Sequence, residues 1–183
     1  MGDKPRDRLI TSALKLFSRY GFHSTGIDTI LAESKVAKTT LYKHFKSKNA
    51  LVVAVLSKHD KDFREWLVKI VDDSPVQPSE KLLVIFDAYK LWAKRDDFNG
   101  CAFVKAASEF PSADSPIHIV CAKHKELMTN YIQELADSAN IPESDRLAIK
   151  LMMLLEGATV LTQIAKEADV FNLAKESAQE LIG

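Results

Sequence analysis

The chain has 183 residues, enough to bury a real core in one large domain or two small ones. Apolar residues make up 46% and charged residues 27%, with six glycines and six prolines, a balance that favours helices over a turn-rich β fold. The opening MGDKPRDRLI has no apolar signal-peptide core, no uninterrupted apolar run reaches a membrane span, and two cysteines make no disulfide framework, so a cytoplasmic protein with no membrane partner is expected.

The net charge of zero hides an asymmetry. Residues 1–50 hold ten Lys/Arg and four Asp/Glu, whereas residues 51–183 hold fifteen and twenty-one. A basic head on an acidic body suggests that the head alone meets a polyanion.

Ile10, Ala13, Phe17 and Tyr20 recur at helical spacing, with Asp3 placed to cap the first helix and Gly21 to end it. Thr25 opens a second helix, with Asp28 three residues on and Ile27, Ile30 and Leu31 as its apolar side. It stops near Ser34 and Lys35. A very short third helix covers about Lys38 to His44. Four residues of helix turn through 400°, so Leu41 and Phe45 lie about 40° apart and face inward. Val36 and Leu41 are spaced as a hydrophobic staple. Thr39, Thr40 and Lys43 point the other way, with Tyr42 and His44 on the flanks. Ser47 caps a long fourth helix running to about Asp72.

The turn DDSPVQPS precedes a fifth helix at about 79–95, and RDDFNG ends it. A short sixth helix spans Cys101 to Glu109. FPSADSP leads to a seventh running to about Ala139, and NIP breaks it. The eighth runs from about Glu143 to Lys166 and the ninth from about Asp169 to Leu181. The expected fold class is all-α, with about nine helices.

Two short helices joined by a tight turn, the second showing small polar and basic side chains, describe a helix-turn-helix. A helix fits the major groove of B-DNA, where hydroxyl and basic side chains reach base edges and phosphates. The first amides of the fourth helix, at Lys48, and of the second helix, around Thr25 and Gly26, would attract phosphate through the helix dipole.

The segments LFSRYGFHSTGIDTI, TTLYKHF and SKNAL stand in the order and spacing of the DNA-binding head of the TetR family of transcriptional regulators. Over about residues 8–56 the chain resembles that family. GCAFVKAASEF and LLEGATVL resemble recurring segments of its bodies. The resemblance implies a DNA-binding domain at 1–48 and a helical ligand-binding and dimerisation domain at 49–183. It implies that Thr25, Lys38, Tyr42, His44 and Lys48 touch backbone phosphates of double-stranded DNA, while Thr39, Thr40 and Lys43 approach bases. For Tyr42 the plain alternative is a packing aromatic, and for His44 a surface histidine.

Three positions depart from the family pattern. Lys35 stands where glycine is usual, at a place that needs positive φ, which costs a side chain on the order of 1 kcal/mol. Ala37 stands where a Ser or Thr cap is usual, a loss of about 1 kcal/mol of helix stability. Thr39 replaces a frequent glycine.

The eighth helix is apolar on every side from Leu151 to Leu155, so one side needs a partner beyond its own body. Gly157 and Ala158 would let a second helix come close. The resemblance implies a homodimer through a four-helix bundle, with Leu151, Leu155, Gly157, Ala158 and Leu161 in the interface. It also implies a repressor released from a palindromic operator by a small-molecule effector. Candidate pocket residues are Phe63, Trp66, Leu67, Phe86, Tyr89, Trp92, Phe103, Phe110, Met128 and Met153, although aromatics at helical spacing are also ordinary core.

Cys101 at a helix start has the setting of a sensing thiol, and of a packing one. His118, Cys121 and His124 span about 9 Å of helix axis and about 120° of rotation, too much for one ion to take all three, and no metal or other cofactor is expected. Glu156 is either a bundle hydrogen-bond partner or a ligand contact. No P-loop, G-x-S-x-G or H-E-x-x-H motif supports an enzyme. The alternative function is a helical protein-interaction module with a degenerate DNA-binding head.

Overall fold

The computed structural model describes residues 4–165 and 169–183. Among these, every regular element is a helix: α1 (Pro5–Tyr20), α2 (Ile27–Ser34), α3 (Lys38–His44), α4 (Lys48–Asp72), α5 (Pro78–Ala93), α6 (Ala102–Glu109), α7 (Pro116–Ser138), α8 (Ser144–Ala165) and α9 (Val170–Ile182). The order and approximate limits agree with the sequence periodicity. The cap expected of Asp3 and the expected last residue of the eighth helix, Lys166, lie outside the described residues.

The breakers act as their chemistry requires. Gly21 ends α1 at φ 90°, and its amide donates to the Phe17 carbonyl. The Ser47 Oγ accepts from the Ala50 amide at 3.1 Å and caps α4. Gln77 and Glu80 form a reciprocal capping box at α5. Thr25, in contrast, does not cap α2. Its hydroxyl donates backward to the Gly21 carbonyl at 2.7 Å, and Gly26 takes the cap position without a side-chain bond.

Packing divides the chain into two compact units, and differently from the functional division expected at 48/49. The first unit comprises residues 1–62 and 101–124, the second residues 63–100 and 125–183. α4 and α7 each contribute to both.

The core of the first unit gathers Leu9, Ile10, Ala13 and Phe17 of α1, Ile30 of α2, Val36, Leu41 and Phe45 around α3, and Leu51, Val52, Val55 and Leu56 of α4. Ala102, Phe103 and Ala106 of α6 belong to the same cluster, as do Ile117 and Cys121 of α7. The second unit packs α5, α8 and α9 together, around Leu82, Ile85, Phe86, Tyr89, Leu151, Leu155 and Phe171. Lys90 donates to Asn172 at 2.6 Å and Lys175 pairs with Asp87 at 2.7 Å, which ties α5 to α9 at the surface. Glu156 of α8 is paired with Lys125 of α7, so its carboxylate serves helix pairing.

α8 is long and apolar enough, by composition alone, to cross a membrane, with mean hydropathy 1.5 over its most apolar window. Part of that apolarity is spent inside the second unit, where Leu147, Ala148, Leu151, Met152, Leu155, Ala158 and Thr159 are buried.

Lys35 closes α2 in the left-handed conformation, φ 53° and ψ 38°, as its place in the turn requires. Ala37 starts α3 without a side-chain cap. A left-handed lysine carries strain that glycine does not, so Lys35→Gly is expected to raise stability by about 0.5–1 kcal/mol in urea unfolding at matched protein concentration. A neutral or lower value would show that the lysine side chain gains compensating contacts.

Candidate nucleic-acid interface

Seven residues are too few to form a stable helix in water, so α3 depends on what holds it. Its anchors are Leu41, fully buried, and Phe45, the residue that ends it. Val36, buried just before the Ala37 cap, sits where a hydrophobic staple to Leu41 would place it. The Arg6 guanidinium lies 5.6 Å from the Phe45 ring centre.

With that face fixed inward, the other face is displayed. Lys38, Thr39, Tyr42, Lys43 and His44 are exposed, and Thr40 is half-buried. Tyr42 is thus a displayed aromatic rather than a core one. Lys38 reaches Asp28 of α2 at 3.3 Å, an exposed pair that water and salt leave weak.

Lys48, the first residue of α4, is half-buried, and its ammonium donates to the His23 carbonyl at 3.1 Å. Burial pulls this ammonium below the ordinary lysine range, while the nearby Glu109 carboxylate works the other way. The Thr25 side chain is buried at 2% exposure and spends its hydroxyl on the Gly21 carbonyl. The phosphate contact expected of it is therefore not open to its side chain. The first turn of α2 beyond it keeps the orphan amides and positive dipole end of any helix start.

The structure distributes the expected pocket residues over different surroundings. Met153 is 67% exposed, on the outward side of α8. Phe86 and Tyr89 are core. Phe63, Trp66, Tyr89 and Trp92 form an aromatic cluster with ring centres 5.4–5.7 Å apart. Phe103 is buried in the first unit between two imidazoles, stacked at 5.4 Å from His59 and 3.7 Å from His124. Phe110 stacks on His23 at 4.5 Å.

Of the expected pocket residues, Leu67 and Met128 line a cleft of about 200 Å³ in the second unit. Arg64, Val68, Leu127, Asn130, Tyr131 and Glu134 complete its lining, and the sequence reading missed them because they read as ordinary helix flanks. The Tyr131 hydroxyl is buried without a hydrogen-bond partner among the described residues. Burial first, then Asp72 and Glu134, pushes it up to about 12.

The residues expected at the dimer face divide between the inside and the outside of their own chain. Leu151, Leu155 and Ala158 are at most 2% exposed within their own chain. The outward stripe of α8 is Ile149, Met153, Gly157, Val160, Leu161 and Ile164, of which Gly157 and Leu161 were expected.

Cys101 is a half-exposed thiol preceding α6, and Cys121 is buried. His118 turns to the Phe110 carbonyl at 3.1 Å and His124 to Asp60 at 2.8 Å. Among the described residues no group of three or more His, Cys, Asp or Glu is placed to hold a metal.

Comparison with known proteins bears on the head and on the whole fold. Residues 9–55 match the family model of bacterial regulatory proteins of the tetR family. The HTH-type transcriptional regulator YjdC of Escherichia coli is 20% identical over 177 residues, covering 97% of this chain and 93% of that protein. The HTH-type transcriptional repressor NemR of Escherichia coli is 24% identical over 105 residues, 57% of this chain and 53% of that protein. The crystal structure of a TetR-family transcriptional regulator from Streptomyces coelicolor superposes with a TM-score of 0.91 at 26% identity, covering 97% of this chain and 94% of that one. The helix-turn-helix head is thus matched in sequence by the tetR family model and the full length in fold by a TetR-family regulator, so the chain is similar to that family from end to end and reads as a DNA-binding transcriptional regulator, not an enzyme.

Proposed function

We propose that the protein is a homodimeric, cytoplasmic repressor that binds a palindromic operator and is released by a small-molecule effector. The observation that carries the DNA reading is the division of α3 into two buried anchors, Leu41 and Phe45, and an exposed polar, basic remainder. In this reading Thr39, Thr40 and Lys43 approach base edges in the major groove. Lys38, Tyr42, His44, Lys48 and the start of α2 hold phosphates.

Dimerisation is supported by the outward stripe of α8, continued on α9 by Leu173 and Leu181, both exposed. A β-carbon placed on Gly157 would meet nothing within 4 Å, so a second helix has room to approach there. Two heads related by a two-fold axis would read half-sites about 34 Å apart, one turn of DNA.

The repressor reading is supported by the similarity to NemR, named a repressor, whose match extends beyond the head to 105 residues; FasR of Mycolicibacterium smegmatis, named an activator, is 40% identical over 57 residues. The effector reading is supported by the cleft beside α4 and α7, whose Tyr131 hydroxyl lacks a partner and would take one from a ligand. An effector shifts the protein off DNA only by binding the DNA-incompetent arrangement more tightly.

The test is a titration of a fluorescent random-sequence duplex over a range of salt. Binding is expected to weaken steeply as salt rises, and Lys48→Ala to lower the slope of log affinity against log salt by about 1. A salt-independent affinity would favour an apolar partner over DNA. Leu161→Glu places a charge on the outward stripe and is expected to give a folded monomer by light scattering with loss of tight DNA binding. A variant that remains dimeric would contradict the interface.

A further inference from the structure

The turn before α2 is bonded from two other helices at once. The Glu109 carboxylate, at the end of α6, accepts from the Phe22 amide at 2.8 Å and from the His23 amide at 2.5 Å. The same carboxylate lies 2.9 Å from the His23 Nδ1. Phe110, the next residue, stacks on the His23 ring. From the other side, Lys48 of α4 donates to the His23 carbonyl at 3.1 Å. One short turn therefore ties α6 to the residue expected to hold a phosphate.

The fit is close. Gly21 holds φ 90°, and a β-carbon there would come within 3.0 Å of a Glu109 oxygen. A side chain at this position would be strained by the positive φ and would crowd the carboxylate, which would have to give by a few tenths of an ångström. Burial disfavours the Glu109 charge, but the two amides and the His23 imidazole outweigh it and hold the carboxyl below the ordinary glutamate range. Four residues earlier on α6, Lys105 donates to the Ser18 carbonyl of α1 at 2.8 Å. α6 thus grips both the end of α1 and the turn that follows it.

We infer that Glu109 is a positioning residue for DNA binding: its carboxylate sets the Gly21–His23 turn, and through the His23 carbonyl it sets Lys48 and the start of α2 against the phosphate backbone. A carboxylate suits this task because it accepts two amides and a ring nitrogen together. An amide of the same shape turns a donor toward those donors. The inference rests on the DNA-binding reading, and its test separates the two.

Glu109→Gln keeps the size but removes the charge and replaces one of the two acceptor oxygens with a donor. The variant is expected to match the parent protein in thermal unfolding and oligomeric state, yet to bind the random-sequence duplex about tenfold more weakly at fixed salt. Because the effect passes through Lys48, the same substitution in a Lys48→Ala background is expected to cost less than about threefold. Equal losses in both backgrounds would reduce Glu109 to general structural support and overturn the inference, as would an unchanged affinity. Amide hydrogen exchange reads the clamp without DNA: Phe22 and His23 are expected to exchange faster in Glu109→Gln, and unchanged protection would overturn the clamp itself. If the parent protein fails to bind duplex DNA while these amides do lose protection, the DNA reading fails and the clamp stands as a structural device.

Discussion

A helix of seven residues cannot hold its shape in water, because nucleation fixes several residues for each hydrogen bond gained. α3 is such a helix, and the first unit is organised around keeping it in place. Leu41 and Phe45 sit in one apolar cluster with side chains from α1, α2, α4, α6 and α7. Only because those two anchors are buried does the remaining surface of α3 have a fixed direction. Fixed direction is what reading a groove requires, since base edges discriminate only when the donors and acceptors facing them are already aligned.

The same logic extends outward. The turn before α2 is held by Glu109, which stands 86 and 87 residues away in sequence from the amides that it accepts. α6 therefore packs with the head and supplies its brace. In the second unit, α8 divides its apolar residues between an inner face, with Leu151 and Leu155, and an outer stripe, with Met153, Leu161 and Ile164. A helix apolar all round makes sense when one half is needed by its own chain and the other by a partner, for which the proposed dimer supplies a second copy.

Much of this was legible in the sequence. The spacing of Leu41 and Phe45 places both inward, and the resemblance to a family with glycine at the Lys35 position implies the positive φ that the lysine adopts. Helix limits followed from Gly21, Ser47 and the prolines, since those residues act on the backbone locally. The phase of α8 was not legible, because periodicity fails where apolar residues fill every side, and Leu155 and Met153 look alike in one dimension. Thr25 misled for another reason. Its hydroxyl can cap forward or bond backward, and the choice depends on the Gly21 carbonyl being left free by the end of α1. The Glu109 clamp and the α4–α7 cleft depend on contacts between distant segments, which no local pattern encodes.

The central claim is that the displayed face of α3, held twice in a symmetric dimer, reads DNA. Selection of the purified protein against random duplex DNA, followed by sequencing, tests it most directly. The account predicts enrichment of a palindrome with half-sites about one helical turn apart. A folded dimer that enriches no sequence, or one that enriches a single unpaired site, would contradict it.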